Sequence, residues 1–163
     1  MEITLKRACR AAAMAGFVAV VAGTVLAQSP DAHIGTWKAN LAKSTYNPGP
    51  AAKSATTTID AAGAGTKVIV DQSLADGTVR HWEFTANYDG KDVPVTGNNP
   101  DADTIARTRP NANTVNSVSK KGGKTTILQT SVVSSDGKMR TVTTTGTNGA
   151  GKPVNNVVVY DRQ

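Results

Sequence analysis

The chain has 163 residues, with 18 Lys and Arg against 12 Asp and Glu for a formal charge of +6, one cysteine, and only 4% aromatic residues. The length suits one domain, and a lone cysteine leaves no intrachain disulfide framework. The basic residues are scattered rather than gathered on one stripe, which argues against nucleic acid as a partner.

The first element is an export signal. Lys6, Arg7 and Arg10 precede an apolar run from Ala11 to Ala27 that ends in Val25, Leu26 and Ala27. A basic start, a short apolar middle and a small-x-small end are the parts of a cleavable secretory signal. At about 17 residues the run is at the lower limit for crossing a bilayer. The expectation is therefore a signal peptide over 1–27 and a domain over 28–163 that is periplasmic or secreted, with no stable membrane anchor after cleavage. Cys9 lies ahead of the apolar run, so it is not placed to carry a lipid.

The remaining 136 residues contain 20 Thr, 14 Val, 5 Ile and no Cys. β-Branched side chains are stiff at the first torsion and fit a pleated surface, so strands are predicted almost throughout. In chain order they run near Ile34 to Asn40, Ala55 to Asp60, Thr66 to Ser73, Thr78 to Tyr88, Asp92 to Val95, Thr104 to Arg109, Thr114 to Lys120, Thr125 to Ser134, Lys138 to Thr147 and Val154 to Arg162. Pairs that tolerate positive φ fall between them: Asp76-Gly77, Asp89-Gly90, Gly122-Gly123, Asp136-Gly137 and Asn148-Gly149. Leu41 to Ser54, with Pro48 and Pro50, is the main irregular connection. The stretch Asp76 to Arg80 is echoed by Asp136 to Arg140, two hairpins with the same turn chemistry.

Ten antiparallel strands joined mostly by hairpins close most simply into an up-and-down β-barrel, which removes exposed edges. A β-sandwich is the alternative, since it uses the same alternation. On the strand from Thr78 to Tyr88, alternation puts Arg80, Trp82, Phe84, Ala86 and Tyr88 on one face and His81, Glu83 and Thr85 on the other.

The opening Gly35-Thr36-Trp37-Lys38 resembles the first strand of the calycins, the superfamily of lipocalins and fatty-acid-binding proteins. The ending Val157 to Arg162 is similar to the last strand of the fatty-acid-binding branch, where Tyr precedes an acidic and a basic residue. The opening together with Ala42-Lys43-Ser44 and Pro48-Gly49-Pro50 also resembles a group of secreted bacterial proteins without an established activity. The resemblance implies a lipocalin-like barrel around a small ligand, with Trp37 plugging the closed end and Tyr160 donating a hydrogen bond. Two features depart from it: Val158 stands where that branch carries its anchoring Arg, and no lid helix is evident between Leu41 and Ser54.

These residues lead to a noncatalytic binding module for a small apolar or amphipathic molecule, with Trp37, Arg80, Trp82, Arg107, Arg140 and Tyr160 as candidate ligand-binding residues. Arginine earns its place because its planar fork holds a carboxylate through two parallel hydrogen bonds; Arg109 and Arg162 are further anchors of the same type. A second reading is a structural or protein-interaction domain with a filled interior. A third is an enzyme using His81 and Glu83 as an acid-base pair. Two histidines and no cysteine over 28–163 leave no zinc pattern. Asp101 and Asp103 lack the Gly and terminal Glu of a calcium loop. No cofactor or metal is expected, no catalytic residue is assigned, and no protein partner is identified.

Overall fold

The computed structural model describes residues 31–163; the predicted signal over 1–27 lies outside the described residues. The expected all-β fold is observed, in eleven strands: β1 Gly35–Thr45, β2 Ser54–Ala62, β3 Gly65–Ser73, β4 Val79–Ala86, β5 Val93–Pro94, β6 Thr96–Gly97, β7 Thr104–Asn111, β8 Thr114–Lys121, β9 Lys124–Val133, β10 Met139–Thr147 and β11 Pro153–Arg162. All pair antiparallel in one sheet of order β5-β7-β8-β9-β10-β11-β1-β2-β3-β4-β6. The chain is thus a meander that bends round until its first and last strands pair. Trp37 sits opposite Arg162 and Ala39 opposite Tyr160. One sheet that returns on itself excludes the two-sheet sandwich.

The barrel is nearly closed. No backbone ladder joins β4 to β7 among the described residues, although β4 touches both β5 and β7. Side chains bridge this seam. The Arg107 guanidinium on β7 lies 5.8 Å from the Phe84 ring of β4 and donates from Nη1 to Thr66 Oγ1 of β3 at 2.6 Å.

The single strand expected over Asp92 to Val95 is corrected by this seam. Only Val93–Pro94 of it forms a strand, β5, which pairs with β7, and the chain goes straight on into β6, Thr96–Gly97, which pairs with β4, so the connection spans the gap instead of crossing it as one strand. Asp89-Gly90 is accordingly not a hairpin turn: Asp89 bridges to Thr108, and the Gly90 N–H donates to Arg107 O. The first strand also runs on to Thr45 through a bulge after Asn40, which shortens the irregular segment to 46–53. At the β10–β11 turn the positive φ belongs to Gly151 and not to Gly149.

One end of the barrel is closed by packing. Trp37, Ile59, Val68, Phe84, Ala86, Ile105 and Val133 form one buried cluster, with Ala32 and Tyr160 against it. Trp37 has no exposed surface, and its Nε1–H donates to His33 O at 2.8 Å. Arg162 stacks on the indole at 4.1 Å and donates to Ala32 O, Ile34 O and Gly137 O at 2.6–2.7 Å. Segment 31–34 is therefore pinned across the barrel floor. Gly35 follows from the same arrangement: its φ is +130°, and a Cβ there would stand 2.6 Å from Arg162 Nη1. The repeated Asp-Gly turns are alike in form but lie at opposite ends of the barrel, Leu74 to Thr78 at the open mouth and Ser134 to Met139 at the floor.

Candidate functional site

The interior is not filled. A cavity of about 620 Å³ runs inward from a mouth formed by the 46–50 loop, the 74–76 turn, residues 99–102 and the β10–β11 turn. Its size falls in the range of small-molecule sites. The filled-interior reading predicts that Trp82, Phe84 and Tyr88 meet the opposite wall. Trp82 and Phe84 do face inward, yet space remains beyond them.

Alternation in β4, β7, β10 and β11 places the candidate side chains. Arg80, Trp82, Arg107, Arg140 and Tyr160 all line the cavity. Trp37 lies beneath it, 5.6 Å from the Arg140 guanidinium. Arg140 and Tyr160 are direct cross-strand partners, and the guanidinium stacks over the phenol ring at 4.6 Å. Arg107 comes from the far side of the seam, 5.2 Å from the Tyr88 ring.

Arg107 and Arg140 are the chemical centre of this interior. They are 4% and 5% exposed, and the Nε of each has no hydrogen-bond partner. Among the described residues no carboxylate lies within ion-pair distance of either. Burial disfavours a charge that has lost its hydration. It pushes Arg140 down to about 10, with Arg107 adding repulsion and Tyr160 opposing the shift. Burial also lowers Arg107, against the pull of Tyr88 and Asp31. Both guanidiniums remain charged at neutral pH, and both face an empty volume. On the β9 side of the same cavity, Ser131 Oγ is buried without a partner as well.

Arg109 and Arg162 are engaged at the floor, whereas Arg80 stands at the mouth of the cavity. Arg109 pairs with Asp31 at the floor, where Asp31 also accepts from Tyr88 Oη at 2.7 Å and from the His33 N–H at 2.9 Å. Burial raises the affinity of Asp31 for its proton, but the hydrogen bonds from His33 and Tyr88 and the charge of Arg109 together outweigh it and hold the carboxyl well below the usual carboxylate range. Arg162 is committed to the floor segment. A lowered carboxylate contributes stability that is present above its unfolded value near 4 and is lost as pH falls through the folded one. Asp31→Asn is expected to cost about 1–3 kcal/mol at pH 7. In urea titrations its deficit against the parent should shrink as pH is lowered below about 4.

His81 and Glu83 are on the outer wall, each paired to β3: His81 Nδ1 with Asp71 at 2.7 Å and Glu83 with Lys67 at 3.0 Å. Neither lines the cavity, so the acid-base pair of the third reading lies away from it. Among the described residues no three His, Cys, Asp or Glu side chains are grouped to hold a metal ion.

Sequence reasoning missed the polar residues of the wall formed by β8 to β11, namely Ser117, Gln129, Ser131, Thr144 and Asn156. Their period-two placement beside buried Val115, Ile127 and Val142 was the available signal.

No protein-family model matches the chain, and no curated protein matches it. Among solved structures it is similar to a zebrafish ileal bile acid-binding protein complexed with cholic acid, at 14% identity over 81% of this chain and 99% of that one, with a TM-score of 0.45.

Proposed function

We propose that the protein is a noncatalytic binding module, acting in the periplasm or outside the cell, that holds one small amphipathic anion inside its barrel. The observation that carries this reading is the pair of buried arginines, Arg107 and Arg140, facing the cavity without a carboxylate. An unpaired buried charge is costly to the fold, and an anionic ligand supplies the missing partner through charge-assisted hydrogen bonds. Tyr160 stands beside Arg140 as a further donor, and Trp82 and Phe84 offer apolar surface to the rest of the molecule. Export is supported by the signal pattern over 1–27.

Titration with the anionic dye 1-anilinonaphthalene-8-sulfonate tests the reading. Saturable dye binding is expected, displaced by an amphipathic carboxylate and not by its methyl ester. Native mass spectrometry of protein purified from its own host is expected to show a copurified acid. Absence of saturable binding, or equal displacement by acid and ester, would overturn it.

A further inference from the structure

We propose that the outer wall formed by β8 to β11 docks a second copy of this chain, face to face. The wall lies outside the barrel, so the contact does not depend on what the cavity holds. Strand register sets it out as three rows of four residues, running from Thr114 to Val159, from Asn116 to Val157 and from Val118 to Asn155. None of the twelve is charged: five are Thr, two are Asn, and the rest are Leu128 and four Val. Leu128, Val132 and Val157 are half of the six large apolar side chains exposed among the described residues, and a fourth, Met139, stands one step beyond the first row on β10. The outer wall of β2 to β4 is built differently. In three equivalent rows of three, Asp60, Lys67, Asp71, His81 and Glu83 occupy five of nine positions, as a face that meets water does.

The chemistry of the neutral wall matches its own copy. Residues 28–163 carry 15 Lys and Arg against 11 Asp and Glu, a net +4, so two copies repel unless they meet where no like charges face each other. A Thr hydroxyl both donates and accepts a hydrogen bond, and so does an Asn amide. Each polar group of the wall can therefore pair with its own kind across a two-fold axis, where the same patch is presented from both sides. Val and Thr are also stiff at the first torsion, so docking freezes few rotamers. Strands about 4.8 Å apart, with same-face residues about 6.7 Å apart along each, give twelve positions about 400 Å² of plane, and the side chains standing off it expose more. The outside of a barrel is convex, which centres the contact on β9 and β10. An interface at this low end of specific sizes makes a reversible dimer and not a permanent one.

Sedimentation equilibrium of the exported protein tests this over about 1 to 300 μM, the range that an interface of this size calls for. A monomer–dimer equilibrium is expected, and added salt should not dissociate it, because no ion pair crosses the contact. Thr130→Lys and, separately, Thr143→Lys put like charges at the centre of the wall and should weaken dimerisation by about 100-fold or more. Thr58→Lys, on the outer wall of β2 to β4, should leave it unchanged. Both central side chains are exposed and point away from the core, and far-ultraviolet circular dichroism checks that the variants fold. A parent that stays monomeric at the top of the range would overturn the proposal and leave the wall to a different protein. A dimer that salt dissociates, that both central lysines leave intact, or that Thr58→Lys also abolishes would overturn it equally, since the contact would then lie on another face.

Discussion

Arg140→Leu is expected to do two opposite things: weaken binding of an amphipathic carboxylate by about 100-fold or more and make the ligand-free protein more stable. The binding loss follows from removing one side of a buried charge pair, which costs about 2–5 kcal/mol. The stability gain follows from the same burial. Arg140 is 5% exposed and has no carboxylate near it, so the folded state carries a desolvation cost that the unfolded state does not. Leucine fills much of the volume without the charge, for a gain of about 1–3 kcal/mol.

The pH dependence separates this account from a packing artefact. Burial pushes Arg140 down to about 10, well below the ordinary value of a guanidinium. The charged form is disfavoured by folding, so the penalty is complete below about pH 10 and fades as pH rises above it. The stability advantage of Arg140→Leu should therefore be constant through neutral pH and narrow above about 10. Anion affinity of the parent should fall over the same interval, because the anchor loses its charge. Saturating ligand should erode that advantage: at a hundredfold excess over Kd, mass action adds about 2.7 kcal/mol to the parent. A stability loss in Arg140→Leu without ligand would contradict the claim that the guanidinium is uncompensated.

How far the sequence reveals this site depends on the distance over which each feature is encoded. Alternation along Thr78 to Tyr88 is enough to put Arg80, Trp82 and Phe84 on one face, but only the folded barrel shows that this face is the interior. The same rule put Arg107 and Arg109 together, yet they differ in role. Two residues along β7 carry the chain from the cavity to the floor, where Asp31 takes Arg109. No local pattern marks where a cavity ends. The polar residues of the β8 to β11 wall were hidden for another reason. Alternation puts Ser117, Gln129 and Thr144 on the same faces as Val115, Ile127 and Val142, but within one strand nothing shows that they stand side by side. Only inter-strand register aligns them, and register is set by turns and bulges that single-strand patterns do not contain. The seam between β4 and β7 is a tertiary feature as well, which is why Asp92 to Val95 reads locally as one strand.

Trp37→Ala is expected to produce the largest loss of stability, about 3–5 kcal/mol. The side chain is wholly buried, and its truncation opens a void in the cluster shared by Ile59, Phe84 and Ile105. The loss also spreads beyond that void. Trp37 Nε1–H satisfies His33 O, and the ring is the surface on which Arg162 stacks while it holds Ala32, Ile34 and Gly137. Without the indole, the floor segment 31–34 loses its central support and the cavity gains a second way in. With total domain stabilities of about 5–15 kcal/mol, this one change can consume most of the margin. Trp37→Phe keeps the aromatic platform and loses the hydrogen bond, so it should cost only about 1–2 kcal/mol. Because the chain has two tryptophans, Trp37→Phe leaves Trp82 as the sole indole, and its emission then reports from the cavity wall. Urea unfolding followed by circular dichroism measures the first effect. Ligand titration followed by Trp82 fluorescence in Trp37→Phe should show saturable change with unaltered affinity, since the floor supports Arg140 without itself touching the guest. A Trp37→Phe protein that folds but loses anion affinity as completely as Arg140→Leu would place the binding site at the floor and not in the barrel.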